Sequence, residues 1–121
     1  MFASTQCEVI AVSISWGDFK KVDMRIGRIL DVSPFPDAKT PSYKLKIDFG
    51  ELGIRDSSAH ITNYGQEELE GKYVIAVVNF PKKQISNFMS EVLVLGSLSG
   101  NGVILITSDK PSQVRPGDKI A

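Results

Sequence analysis

Val22-Asp23-Met24-Arg25-Ile26-Gly27-Arg28-Ile29-Leu30-Asp31-Val32 is the stretch on which the fold turns. Val22, Met24 and Ile26 keep one phase of a two-residue alternation, and Ile29, Leu30 and Val32 take up another. Period two is the signature of a half-buried strand. The phase changes near Gly27, and a glycine at such a point reads as a bulge or a sharp coil. Downstream, Tyr43-Lys44-Leu45-Lys46-Ile47-Asp48-Phe49 alternates cleanly, with Tyr43, Leu45, Ile47 and Phe49 on one face and both lysines on the other. Residues 54–62 form a third, more polar strand. A helical turn around Gln66–Leu69 ends at Gly71, a residue type suited to closing a helix in a left-handed conformation. The unbroken apolar character of residues 73–80 and 91–95 predicts buried strands. Asn101-Gly102 is a hairpin signal leading into Val103–Thr107, and Pro116-Gly117 is a turn.

Upstream, Ser15-Trp16-Gly17-Asp18 has the spacing of a capping box, so residues 16–22 read as one short helical turn anchored by Trp16 and Phe19. Residues 7–14 are β-rich and lie outside the main pattern, as an added strand or a tail laid on a partner. Short strands, one small helix between the third and fourth, and turns rich in Gly and Pro predict an all-β chain. The class is the five-stranded Greek-key barrel of the oligonucleotide-binding (OB) fold. The domain spans 15–121, with an N-terminal extension over 1–14 and extra C-terminal strands.

With 121 residues, 14 Lys+Arg and 14 Asp+Glu, the chain is formally neutral. That excludes a uniformly basic surface but not a local patch. One Cys (Cys7) makes no internal disulfide, and with one His (His60) it cannot supply a structural zinc site. No metal and no cofactor is expected. No Lys or Arg precedes Lys20, so no signal or transit peptide is expected, nor any membrane span. The expected setting is cytoplasmic.

The charges are unevenly spread. Between Ala38 and Ile47 lie Lys39, Lys44 and Lys46 with no acid, and between Gly71 and Ser90 lie Lys72, Lys82 and Lys83 with none. In such a barrel both windows flank one face, where phosphates find a groove and Tyr43, Phe80 or Phe88 offers a stacking surface. The same lysines also suit a solvated role that keeps strand edges apart. Ser90, at the end of the loop that follows Lys82-Lys83, fits a phosphate or sugar edge or caps a local turn.

Trp16-x-Asp18-Phe19-x-Lys21-Val22-Asp23-x-Arg25-Ile26-Gly27-x-Ile29 resembles the opening signature of the tRNA-binding domain, found free-standing and appended to methionyl- and phenylalanyl-tRNA synthetases. Within it, Ile47-Asp48-Phe49-Gly50, Ser57 to Thr62, Val74 to Pro81, Ser90 to Gly96 and Pro116-Gly117-x-Lys119-Ile120 are similar to the stand-alone CsaA type. The resemblance covers about residues 16–121. It implies an OB-fold homodimer that binds tRNA through the barrel face and the loop before the fifth strand, and that serves as an export-related chaperone. Lys82 and Lys83 match the family's basic loop, and Ser90 the serine of its Ser-x-Gly-Met signature. The chain departs from the wider pattern at Glu91-Val92 and at Ser58-Ala59-His60.

Tested against rivals, a tRNA partner held by Lys39, Lys44, Lys46, Lys82, Lys83 and Ser90 is the leading expectation. An enzyme is not expected. Ser58 and His60 share one strand face, but such neighbours stand roughly 6–7 Å apart at the backbone, and the chain holds no G-x-S-x-G, P-loop or H-E-x-x-H motif. A chaperone for unfolded or exported polypeptides needs an exposed apolar patch, for which Phe35, Phe88 and Met89, with Val9 and Ile10 of the tail, are the candidates. The same residues also suit a core or dimer contact.

Overall fold

The computed structural model describes residues 12–100 and 102–121. Most of the β-rich tail, with Cys7, Val9 and Ile10, lies outside the described residues, as does Asn101 of the hairpin signal; residues 12–15 have no regular structure. Helix α1 (Trp16–Lys20) follows. Its capping box forms as the spacing predicts: Asp18 N–H donates to Ser15 Oγ at 3.0 Å and Ser15 N–H to Asp18 Oδ2 at 3.1 Å. The helix nevertheless buries none of its residues, so Trp16 and Phe19 pack on each other rather than in a core.

The barrel is built from β1 (Met24–Pro34), β2 (Tyr43–Asp48), β3 (Ile54–Ala59), β4 (Tyr73–Val77) and β7 (Leu93–Val94), hydrogen-bonded in the order β3-β2-β1-β4-β7, every pair antiparallel. Helix α2 (Gln66–Leu69) lies between β3 and β4. This is the OB-fold topology that the pattern of strands and turns implies. Two hairpins stand outside the sheet, β5 (Lys83–Ile85) with β6 (Phe88–Ser90) and β8 (Gly96–Ser99) with β9 (Gly102–Leu105). The inward residues of the alternation, including Ile29, Val32, Leu45, Ile47, Phe49, Val74 and Ala76, form the core, joined by Ile61, Leu69 and Val92. Gly71 closes α2 with φ +84°.

The long first strand corrects one expectation. Its irregularity falls between Ile29 and Asp31 against β2, leaving Leu30 half exposed, while Gly27 pairs regularly with Val74. Glycine is needed at 27 for space: a Cβ there would stand 2.5 Å from Ile47 Cγ2 and 2.6 Å from Phe49 Cε1. The bend lets β1 serve two neighbours, β4 along 24–28 and β2 along 28–34. Where β2 has left, the C-terminal segment takes its place: Gly117 N–H donates to Ile26 O at 2.7 Å, Ile26 N–H to Asp118 O at 2.8 Å and Ile120 N–H to Met24 O at 2.9 Å.

Candidate nucleic-acid interface

The barrel closes between β3 and the segment around Ser90–Val92, and it closes largely with side chains. Glu91 N–H donates to Asp56 O at 2.8 Å, and Asp56 N–H to Glu91 Oε1 at 2.8 Å. Ser58 N–H donates to Ser90 Oγ at 3.1 Å, and Ser57 Oγ–H to Val92 O at 3.0 Å. Ser90 is therefore a buried closing residue whose hydroxyl accepts a backbone bond.

Strand pairing and this closure together bring acids to lysines that are acid-free along the chain. In register, Lys46 lies between Asp31 on β1 and Asp56 on β3, and its Nζ is 3.2 Å from Asp56 Oδ1. Lys82 Nζ is 3.3 Å from Glu91 Oε2. The Asp56 amide, and after it Lys82, hold the Glu91 carboxyl below the usual carboxylate range, against the opposing effect of burial. Both lysines are thus partly neutralised.

Lys44, one row along, is held differently. Its ammonium lies 4.8 Å from the centre of the Phe35 ring and 5.3 Å from that of Phe88, and the two rings meet edge to face at 5.4 Å. Rings attract a cation without cancelling its charge, so Lys44 is fixed yet still positive. Phe35 is 3% exposed, a support beneath that cation. Phe88 is half-buried, and Met89 on the same hairpin is exposed. Lys39 stands exposed on the loop between β1 and β2, and Lys83, exposed on β5, pairs across its hairpin with Ser90. Neither Lys39, Lys44 nor Lys83 is in a described carboxylate ion pair. Of the stacking candidates, Tyr43 is half-buried with its hydroxyl donating to Tyr64 O at 2.8 Å, whereas the Phe80 ring is largely exposed.

Two features escaped the sequence. The hairpin β5–β6 read as a polar loop because its apolar residues, Ile85, Phe88 and Met89, are few among polar ones and its turn carries Ser86 at φ +53° in place of glycine. Beside it runs an apolar groove of about 780 Å³ lined by Phe80, Ile85, Leu93, Leu98 and Val103, with Leu98 89% exposed. Ser42, which the sequence did not single out, reaches His60, with Oγ 2.6 Å from Nδ1. Ser42 is 4% exposed, so this is no nucleophile facing a substrate. Among the described residues no group of three His, Cys, Asp or Glu side chains could hold a metal, and no helix is long and apolar enough to cross a membrane.

Comparison with known proteins places this geometry. The family model described as "Putative tRNA binding domain" matches residues 24–119. The structure of the CsaA chaperone protein from Picrophilus torridus is similar with a TM-score of 0.85 and 56% identity, covering 90% of this chain and 100% of that one. The chaperone CsaA from Bacillus anthracis gives 0.84 and 41%, covering 91% and 100%. The methionine–tRNA ligase of Nanoarchaeum equitans is 37% identical over 98 residues, 81% of this chain but 12% of that enzyme. That of Leptospira interrogans is 33% identical over 110 residues, 90% of this chain and 15% of the enzyme. The chain thus spans a small fraction of these ligases.

Proposed function

From the fact that this chain belongs to the tRNA-binding domain family, we propose that it binds tRNA as a homodimer, without catalysis, in the cytoplasm. One observation carries the assignment of the face: Lys39, Lys44 and Lys83 are outside the described carboxylate ion pairs, while Lys46 and Lys82, near the barrel closure, are clamped by Asp56 and Glu91. Lys39, Lys44 and Lys83 contact phosphates directly. Lys46 and Lys82 contribute less, because Asp56 and Glu91 hold them back from phosphate, and Ser90 shapes the face by holding Ser58. Phosphate contacts of this kind give shape-directed rather than base-directed binding. The test is a gel-shift of total tRNA over a salt series. Affinity should fall steeply as salt rises, by a log–log slope of about 0.7–0.9 per phosphate contact. A flat series refutes the reading.

The homodimer is supported by helix α1. An N-capped helix that buries none of its residues, with Trp16 69% exposed and Val12 and Ile14 exposed before it, presents an apolar face that no described residue covers. A second copy there doubles the lysines offered to one tRNA. Sedimentation of Trp16→Ala should show monomer where the parent shows dimer.

A second reading, a chaperone for unfolded or exported polypeptides, is favoured by the groove of Phe80, Leu93 and Leu98, with Phe88 and Met89 on the neighbouring hairpin. Binding there is apolar and survives the salt that strips tRNA.

A further inference from the structure

We infer that His60 is a positioning residue for the lysine-bearing loop between β1 and β2, and that it does this as the Nδ1–H tautomer. The inference rests on the tRNA reading for its consequence, but not for its geometry.

Ser42 Oγ has one proton and two close neighbours, Thr40 O at 2.8 Å and His60 Nδ1 at 2.6 Å. A carbonyl only accepts, so the serine proton goes to Thr40. Both contacts are then hydrogen bonds only if Nδ1 carries hydrogen and donates to Oγ. The alternative, Ser42 donating to a bare Nδ1, leaves Thr40 O without this donor. Only the Nδ1–H form lets Ser42 Oγ both donate and accept inside the protein, and with Ser42 4% exposed the hydroxyl has little water to turn to instead.

Ser42 also closes the loop from its other end. Phe35 N–H donates to Ser42 O at 3.3 Å, and Ala38 N–H to Phe35 O at 3.3 Å. The run from 35 to 42 is therefore drawn together on Ser42, with Lys39 at its exposed side and the Phe35 ring under the Lys44 ammonium. His60, just past the end of β3, reaches across to this hub. A donor on one strand end thus sets the position of two cations on other elements. His60 is itself exposed, so its loss leaves the core intact.

His60 is the chain's one histidine, which lets a single imidazole be read by ¹⁵N NMR of the full chain at a pH where the ring is neutral. The expected spectrum shows a pyrrole-type Nδ1 and a pyridine-type Nε2; the reverse pattern overturns the tautomer. In tRNA gel-shifts, His60→Ala should weaken binding about threefold to tenfold, the weight of one hydrogen bond. His60→Asn, whose amide N–H stands where Nδ1–H stood, should bind within about twofold of the parent by the same reckoning. Amide exchange at Phe35 should quicken in the Ala variant and not in the Asn variant, with no RNA present. If Lys44→Ala weakens binding and His60→Ala does not, the role of His60 alone is overturned. If neither does, the RNA face is wrong and the role falls with it.

Discussion

Glu91→Gln separates two tasks that one carboxylate performs, and it should move stability and RNA binding in opposite directions. Oε1 accepts the Asp56 amide at 2.8 Å while Oε2 holds Lys82 at 3.3 Å. Glutamine keeps the shape and one acceptor, so the closing bond survives as a neutral one. Going from a charged to a neutral acceptor costs about 1 kcal/mol. The lost ion pair, whose side chains are 63% and 21% exposed, adds about 0.2–1 kcal/mol after screening. A total of about 1–2 kcal/mol lowers the melting temperature by about 4–8 °C for a domain of this size.

The released Lys82 gains a phosphate. The salt slope for tRNA should steepen by about 0.7–0.9, which at 0.1 M salt is about fivefold to eightfold tighter binding. Fluorescence anisotropy with labelled tRNA over a salt series reads both quantities, and a thermal melt reads the first. The Glu91 carboxyl is held below its ordinary 4.5. Its contribution is therefore present above that value and is lost as pH falls through the lower folded one. The parent's advantage in melting temperature should shrink accordingly in acid. A variant that is destabilised, yet binds tRNA no tighter and with an unchanged slope, refutes the idea that Glu91 silences a lysine facing RNA.

Other outcomes follow from the same geometry. Lys83→Ala should weaken tRNA binding across all sequences and lower the salt slope by about one contact, while Lys82→Ala, already offset by Glu91, should do less; equal losses in anisotropy titrations would count against the pairing. Gly27→Ala drives a methyl into Ile47 and Phe49 and should cost about 1–3 kcal/mol in urea unfolding, whereas an unchanged midpoint would show that the barrel interior gives way. Asp23, whose Oδ1 is 2.6 Å from Arg25 Nε, is held below its ordinary 3.8 chiefly by that guanidinium. Asp23→Asn should cost about 1 kcal/mol at neutral pH and progressively less as acid protonates the parent's carboxyl, read from melts over a pH series.

What the sequence made legible was what short-range chemistry encodes. The alternation of Tyr43 to Phe49 named the residues of β2 that face the core, and Ser15 with Asp18 named a cap that formed. Gly71 and the hairpin before Val103 were read from local turn preferences that tertiary contacts do not overrule. Register is the point at which such reading fails. Lys46 and Asp56 are ten residues apart yet become partners, because β2 turns back through β3 in one alignment out of several. Gly27 was a glycine for a reason that only tertiary packing supplies, the side chains of Ile47 and Phe49 folded against it. The hairpin of β5 and β6 was hidden because its turn uses a serine in a strained conformation and its strands are only three residues long each, too short to show an alternation. For the candidate site, the sequence named the cations and the structure showed which of them are in carboxylate pairs.

The seam of the barrel differs in kind from its other joins. Where strands meet as a ladder, the rungs belong to the peptide bond, and no ordinary substitution edits them. Between β3 and the Ser90–Val92 segment, three of the four bonds named above depend on a side chain, from Ser57, Ser90 or Glu91. The tightness of that join is therefore heritable residue by residue. A lineage can loosen or seal one side of the molecule without redesigning the rest, and the neighbouring lysines change their effective charge with it.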